Sequence, residues 1–392
     1  MSKRIVPIGP YHPLQEEPEF FKLIVEGEKV VGLEIHIGYN HRGHEFISQK
    51  LTYDQIPFLV ERICGICSNS HPLACVLAIE DAAHIKVPER ANYIRTIVHE
   101  LERIHSHLLW LGLAGHFIGY NTVWMWAWRY REPVLDLFEM ITGNRNHYAM
   151  NKVGGVRRDI LPAQIPDIEK GLNLVEQKVT MLTKAILDDP VIHARLENVG
   201  ILTKEQAIDY GVLGPTARAS GYAIDVRKDE PHCAYDKIDW NMIVVEEGDV
   251  FAKAKVRLLE CLESVKIIRQ CLKQMPDGPI QNRVDEIPPG EGIGRAEAPR
   301  GEVFHYIRSN GTNSPVRHKV RAPSFMNLPC NEVAVKGYSI ADATLCLAAI
   351  DPCYCCTDRI VVFEDNKFLY SSKRLLELSW EKTKKLQEKY NK

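Results

Sequence analysis

Two Cys-x-x-Cys pairs constrain this chain more than any other sequence feature. Cys64 and Cys67 lie near its start, whereas Cys353 and Cys356 lie near its end. Two intervening residues allow both thiols of a pair to face one ion, and thiolates suit zinc, iron-sulfur clusters or nickel. If the pairs share one site, the fold must bring the N-terminal and C-terminal parts of the chain together.

The spacing of the pairs argues against an ordinary zinc ribbon without excluding zinc. Zinc ribbons usually have about 15 to 20 residues between their pairs, whereas most of this 392-residue chain separates these two. Spacing alone leaves zinc, another thiolate-bound metal and the absence of a shared site open. We expect the other seven cysteines to be small buried hydrophobic residues: Cys75, Cys233, Cys261, Cys271, Cys330, Cys346 and Cys355.

Composition narrows the class of protein. A formal net charge of -2 provides no clustered basic surface for nucleic acid. Residues 108–128 are the most apolar stretch, but glycines, a histidine and an asparagine interrupt it, so we predict no transmembrane segment. The first residues lack a secretory signal, and we expect a cytoplasmic chain whose cysteines serve metal chemistry.

The hydrophobic periodicity predicts an α+β fold that is mostly helical. We expect a small N-terminal β region over residues 1–50 and a central helical bundle over 51–286. A C-terminal strand and helix region over 287–359 would close the metal site, and residues 360–392 would form a tail. The predicted strands cover residues 20–25, 29–37, 302–308, 316–321, 360–363 and 367–371, and the main predicted helices cover 122–142, 165–187, 250–275 and 340–350, with another beginning at Pro88.

The residues around both cysteine pairs resemble the signature motifs of nickel-iron hydrogenase large subunits. Residues 62–67 read RICGIC and are followed by His71, and residues 351–353 read DPC and are followed by Cys356 and Arg359. Further similar blocks include GYNHRG at 38–43 and EAPRGE at 297–302. With GPYHP at 9–13, they resemble the energy-converting, membrane-bound branch, which is related to the 49 kDa subunit of complex I.

The resemblance implies a set of ligands. Cys64 and Cys353 would be terminal nickel ligands, and Cys67 and Cys356 would bridge nickel to an iron that carries carbon monoxide and cyanide. The complex I relative lacks these four cysteines, so their presence favours retained hydrogen chemistry. We therefore predict heterolytic hydrogen cleavage or formation at this site.

The same resemblance implies four further site residues. Arg300 would be suspended above the metals, where a guanidinium can stabilise developing charge. Asp351 and His71 would hydrogen-bond a thiolate or orient Arg300. Glu17 would transfer the proton, although Glu16 is one residue away and an acidic run is usually a solvated surface.

The predicted protein is the catalytic subunit of a ferredoxin-linked hydrogenase coupled to ion translocation. The alternatives are a complex I-like quinone or redox subunit with a structural or vestigial metal site, and a non-catalytic scaffold subunit. The expected partners are a small subunit with a [4Fe-4S] cluster, ferredoxin or a polyferredoxin-type subunit, complex I-like membrane subunits and maturation proteins. The chain would lie on the cytoplasmic side of the membrane, attached through its partners, and the tail after Arg359 would be either retained or removed on maturation.

Overall fold

Long helices and four small sheets make up the protein, in a computed structural model that describes residues 2–13, 15–357, 362–364 and 367–390. This arrangement confirms the predicted α+β class. The helices are α1 His44–Ser48, α2 Ile56–Val60, α3 Ser70–Ala82, α4 Glu89–Phe117, α5 Asn121–Thr142, α6 Ile165–Leu187, α7 Pro190–Leu196, α8 Lys204–Asp209, α9 Gly214–Arg218, α10 Val226–Asp229, α11 Val250–Gln274, α12 Pro323–Asn327, α13 Asn331–Ala334, α14 Ile340–Ala349 and α15 Ser372–Tyr390. The strands are β1 Arg4–Ile8, β2 Phe20–Glu26, β3 Lys29–His36, β4 Asn151–Lys152, β5 Gly155–Val156, β6 Gly290–Ala298, β7 Gly301–Ser309, β8 Arg317–Arg321, β9 Val362–Glu364 and β10 Lys367–Tyr370.

The largest core lies where α4 packs against α5 and α11, with α6 packing against α5 and α11 in turn. Apolar side chains recur along α4 at steps of three and four residues, and Ile94, Ile97 and Leu101 are completely buried. Burying each such side chain stabilises the fold by roughly 1.5 to 3 kcal/mol. The helices predicted over residues 122–142, 165–187 and 250–275 are confirmed within one residue at each end.

The N-terminal sheet has the order β1-β2-β3, with antiparallel pairing throughout. The two predicted strands are confirmed, and β1 is an additional strand. Gly27 has a φ of 65° in the turn between β2 and β3, a conformation that glycine adopts without steric strain. Val30 donates a backbone hydrogen bond to Tyr338 over 2.9 Å, which ties this sheet to the C-terminal part of the chain.

A second sheet, β6-β7-β8, packs against α3, and β6 corrects the sequence analysis. The predicted strands did not include the residues of β6, whose glycines are unfavourable in a strand. Gly292 and Gly294 instead pair with β7 and allow α3 to approach closely: an added Cβ would meet the carbonyl oxygens of Ala78 and Ala74 at 2.1 and 2.0 Å. Glycine is required in this strand because of close packing, not because of a turn.

The helix predicted over residues 340–350 is α14. Two strands were predicted in the tail, and the structure describes β9 and β10 there, whereas residues 360, 361, 365 and 366 lie outside the described residues. Helix α15 also lies in this tail and carries many charged residues. Within the described parts of the chain, no helix combines the length and apolar character needed to cross a membrane.

Candidate metal centre

Four buried sulfur atoms from the two ends of the chain converge on one point. The sulfurs of Cys64, Cys67, Cys353 and Cys356 all lie within 4.8 Å of one another. The Cys67 and Cys356 sulfurs are 3.6 Å apart, and the Cys353 and Cys356 sulfurs are 2.8 Å apart. No side chain of the four is more than 7% exposed. The structure therefore brings together the residues that the sequence analysis predicted as metal ligands.

Two short loops hold these thiols, and Arg42 connects the loops. The first pair follows a 3-10 turn at Glu61–Ile63, and the second surrounds a 3-10 turn at Tyr354–Cys356. Arg42 donates to the carbonyl oxygen of Ile63 over 2.6 Å and to that of Cys355 over 3.3 Å. Since one planar guanidinium contacts both loops, Arg42 fixes their separation.

Arg300 lies beside the cysteines in a rigid hydrogen-bonded position. Its Nη2 is 2.6 Å from a carboxylate oxygen of Asp351, and its Nε donates to the Asp351 carbonyl oxygen over 2.7 Å. Both residues are buried, and a second guanidinium, on Arg257, lies 3.9 Å from the other Asp351 oxygen. Nearby Asp351, Cys353 and Glu16 help to raise the pKa of Arg300 against the effect of burial, so the guanidinium stays charged.

Glu17 contacts the second cysteine loop, and Glu16 precedes it in the chain. Glu17 is half-buried, and its carboxylate accepts a hydrogen bond from the backbone nitrogen of Cys355. Burial raises its pKa, and the negative charge of Cys64 adds to the effect. Glu16 keeps exposed surface, yet surrounding protein atoms desolvate its carboxylate and raise its pKa to about 8, with Arg300 acting in the opposite direction.

His71 contacts the site from the first turn of α3. Its Nε2 lies 3.4 Å from the Cys356 sulfur, and its Nδ1 lies 3.1 Å from Nε2 of His305. Nδ1 of His305 in turn lies 2.9 Å from Nε2 of His318. Burial lowers the pKa of both His71 and His318 to about 4, so these imidazoles are neutral near pH 7.

The donor set fits a soft transition metal. Hydrogen bonds from the thiols of Cys353 and Cys356 hold the pKa of Cys64 well below its ordinary value, which favours a thiolate in the cluster. Thiolates select nickel, zinc, copper(I) or iron over magnesium and calcium, which prefer oxygen ligands. Among the described residues, the cluster contains four buried sulfurs and no carboxylate, as a thiolate metal site would.

Sequence reasoning did not identify every residue around the site. It quoted Arg42 within a motif but gave it no role, and it did not consider His305 or His318. Val303, His305 and Ile307 alternate along β7 on its buried face, where a polar side chain such as His305 requires a partner. That alternation was the available signal, but it does not reveal which partner a buried histidine meets.

Comparisons with known proteins show which families this chain resembles. The family model for the "Respiratory-chain NADH dehydrogenase, 49 Kd subunit" matches residues 118–287 and 280–359, and the "Nickel-dependent hydrogenase" model matches residues 42–113. A solved structure of the "membrane-bound sulfane sulfur reductase (MBS), an archaeal respiratory membrane complex" superposes with a TM-score of 0.86 at 30% identity, covering 91% of this chain and 98% of that chain. The fold is thus that of a subunit of respiratory membrane complexes.

Two curated relatives narrow the class further. "Membrane-bound hydrogenase subunit alpha" of Pyrococcus furiosus is 43% identical, over 97% of this chain and 93% of that protein. An NADH-quinone oxidoreductase subunit of Rhizobium etli is 37% identical, over 88% of this chain and 93% of that protein. The chain belongs to the family of energy-converting, membrane-bound hydrogenase large subunits that is related to the 49 kDa subunit of complex I. The predicted resemblance is confirmed, and these relatives are oxidoreductase subunits.

Proposed function

We propose that this chain is the catalytic subunit of a ferredoxin-linked [NiFe] hydrogenase. The observation that carries the proposal is the convergence of four buried cysteine sulfurs within 4.8 Å, next to the fixed guanidinium of Arg300. Cys64 and Cys353 would hold nickel, and Cys67 and Cys356 would hold nickel and iron together. The bound centre, with carbon monoxide and cyanide on its iron, would supply the redox chemistry that interconverts H2 with two protons and two electrons.

The protein side chains contribute charge and proton handling. Arg300, immobilised by Asp351, places a permanent positive charge in a site that is shielded from water, where electrostatic stabilisation is strong. Glu17 would carry the proton between the cysteines and the surface. Its raised pKa makes both of its protonation states accessible nearer to neutral pH, as proton transfer requires.

The proposed partners follow from the need to remove electrons. Among the described residues, the four-cysteine cluster is the only group of four candidate ligands, so a second polypeptide would carry the electrons. We propose a small subunit with a [4Fe-4S] cluster, electron exchange with ferredoxin or a polyferredoxin-type subunit, and complex I-like membrane subunits that pump ions. Maturation proteins would install the metals, and the complex would lie on the cytoplasmic side of the membrane. We also propose that residues 50, 286 and 359 end the N-terminal β region, the helical bundle and the C-terminal strand and helix region, respectively.

Metal analysis and infrared spectroscopy of the purified complex test the proposal. We expect nickel and iron together with infrared bands from iron-bound carbon monoxide and cyanide. Cys353→Ser should abolish the bands, whereas Cys271→Ala should keep them, because that buried cysteine of α11 lies outside the cluster. Stoichiometric zinc without these bands would contradict the proposal.

The second candidate is a complex I-like quinone or redox subunit whose thiols hold a structural or vestigial metal. The match to the 49 kDa family model and the 37% identity to an NADH-quinone oxidoreductase subunit favour it. Zinc in the cysteine cluster together with quinone-dependent electron transfer would select this candidate.

A further inference from the structure

Three buried histidines form a continuous hydrogen-bonded row that begins at Cys356. His71 Nε2 lies 3.4 Å from the sulfur, His71 Nδ1 lies 3.1 Å from His305 Nε2, and His305 Nδ1 lies 2.9 Å from His318 Nε2. His71 is 1% exposed and the other two are completely buried. Water therefore does not compete for these contacts, and the imidazoles hydrogen-bond mainly to one another.

The row depends on the contact between α3 and the second sheet. His305 on β7 and His318 on β8 lie on the buried face of that sheet, as diagonal neighbours in the antiparallel register. The glycines of β6 let α3 approach the sheet closely, and His71 lies in the first turn of α3. The same packing that required glycine in β6 thus brings His71 within hydrogen-bonding distance of His305.

The direction of the row follows from the chemistry of its first member. Burial without a carboxylate hydrogen-bond partner favours neutral imidazoles, each of which has one N–H and one lone pair. A metal-bound thiolate only accepts, so His71 must donate to Cys356 from Nε2. His305 must then donate from Nε2 to His71, and His318 must donate from Nε2 to His305.

We propose that His305 and His318 are positioning residues that fix the tautomer of His71 and strengthen its hydrogen bond to Cys356. The inference rests on the proposed function, in which Cys356 holds nickel and iron together. A hydrogen bond accepted at Nδ1 polarises the imidazole ring and makes its Nε2–H a better donor. Stronger donation withdraws charge from the thiolate, and hydrogen bonds to ligating sulfur tune the metals that it binds.

A second arrangement of the same residues has to be distinguished from this one. The ligand atoms of Cys75, His305 and His318 lie within 4.8 Å of one another, as a second metal site would require. The 2.9 Å contact between the two imidazoles is a hydrogen-bond distance, which requires a proton between the nitrogens, whereas an ion would need both lone pairs. The geometry therefore favours the hydrogen-bonded row.

Infrared spectroscopy of the whole complex, held in one redox state, tests the inference. His305→Leu should lower the stretching frequency of the iron-bound carbon monoxide, because a less polarised His71 leaves more charge on the thiolate and hence on the iron. His318→Leu should give a smaller shift in the same direction. His305→Gln, whose amide nitrogen can replace the Nε2 donor, should recover part of the shift.

Cys75→Ala is the matched control, because it removes a buried thiol beside the row and leaves the nitrogen contacts intact. We expect unshifted bands and unchanged nickel and iron content in this variant. Unmoved bands in His305→Leu with full metal content, or a stoichiometric zinc ion that Cys75→Ala removes, would overturn the inference while leaving the proposed function in place. A wild-type complex without such bands would instead contradict the proposed function, and the inference would fail with it.

Discussion

At the scale of single residues, Asp351 combines an unusual backbone conformation with two cationic neighbours. Its φ of 56° lies in the left-handed region, which aspartate tolerates better than most residues. This conformation lets its carbonyl oxygen and its carboxylate both face Arg300, while Arg257 approaches the second carboxylate oxygen. Since Cys353 follows only two residues later, the pairing also fixes the position of the second cysteine loop relative to Arg300.

Glu17→Gln should reduce hydrogen turnover by at least roughly 10²-fold while nickel and iron content stays unchanged. The glutamine can still accept the hydrogen bond from the Cys355 nitrogen, but it cannot carry a proton. Hydrogen production from reduced ferredoxin, measured beside metal analysis, provides the test. Glu16→Gln is the comparison: a greater loss in that variant than in Glu17→Gln would transfer the proton-carrying role to Glu16.

Glu102 provides a pH-dependent contribution to stability. Burial raises its pKa from 4.5 to about 8, although its carboxylate accepts hydrogen bonds from Ser70 and from the Asn69 nitrogen at the start of α3. Between these two pH values the folded state binds more protons than the unfolded chain, so this contribution falls as pH rises. The slope is at most about 1.4 kcal/mol per pH unit for one proton.

The measurement is the thermal unfolding midpoint of the complex at pH 5 and at pH 8. The midpoint of the wild-type protein should fall more steeply over this interval than that of Glu102→Gln, which has no titrating group at this position. Equal slopes would show that the carboxyl is already ionised in the folded protein at pH 5.

Sequence motifs could identify residues whose role depends on local spacing, but not residues whose role depends on register. Cys64, Arg300 and Asp351 each lie in a short contiguous sequence motif, and these motifs alone predicted them as site residues. His305 and His318 become neighbours only through the diagonal pairing of β7 with β8. No pattern within either strand predicts that pairing, so the row of histidines required the structure.

At the scale of secondary-structure elements, β6 shows how packing overrides local propensity. Glycine is unfavourable in strands because it has more conformational entropy to lose and no side chain to pack. Three alternating glycines therefore predict a break. In β6 their lack of side chains permits close contact with α3, and this contact offsets the weak propensity. The long helices α5, α6 and α11 were predictable because their apolar periodicity and their packing agree.

Gly292→Ala should lower the stability of the protein by roughly 1 to 3 kcal/mol, as overpacking of a tight contact does. The added Cβ would meet the Ala78 carbonyl oxygen at 2.1 Å and the Ala82 nitrogen at 2.4 Å, and both are backbone atoms that cannot rotate away. Thermal unfolding measures the effect. Gly32→Ala is the control, because the three atoms nearest to its Cβ would all belong to the Ile24 side chain, the first at 3.3 Å. Similar losses in both variants would contradict this account of β6.

At the scale of the whole molecule, contacts between distant parts of the chain surround the metal site. Glu17 accepts a hydrogen bond from Cys355, and the ring of Phe21 lies 6.0 Å from that of Tyr354. The sequence predicted that the two cysteine regions meet, because the residues around both pairs resemble the signature motifs of nickel-iron hydrogenase large subunits. It did not predict the buried ionic network in the interior, because charged residues on separate elements carry no signal of their partners. The network comprises Glu100, Arg103, Arg218, Asp225, Arg227, Glu260 and Glu297.

Arg218→Met tests how much this network contributes to the stability of the folded protein. Arg218 is completely buried and pairs with Glu297 at 2.8 Å, Glu260 at 2.9 Å and Asp225 at 3.2 Å. Without this guanidinium, the three buried carboxylates lose a positive charge that compensates them. We therefore expect the free energy of unfolding to fall by about 3 to 5 kcal/mol and the thermal midpoint to be clearly lower. Arg283→Met should leave the midpoint nearly unchanged, because that arginine is 88% exposed and its ion pair is solvated. Equal shifts in the two variants would show that the buried network adds no more stability than a surface ion pair.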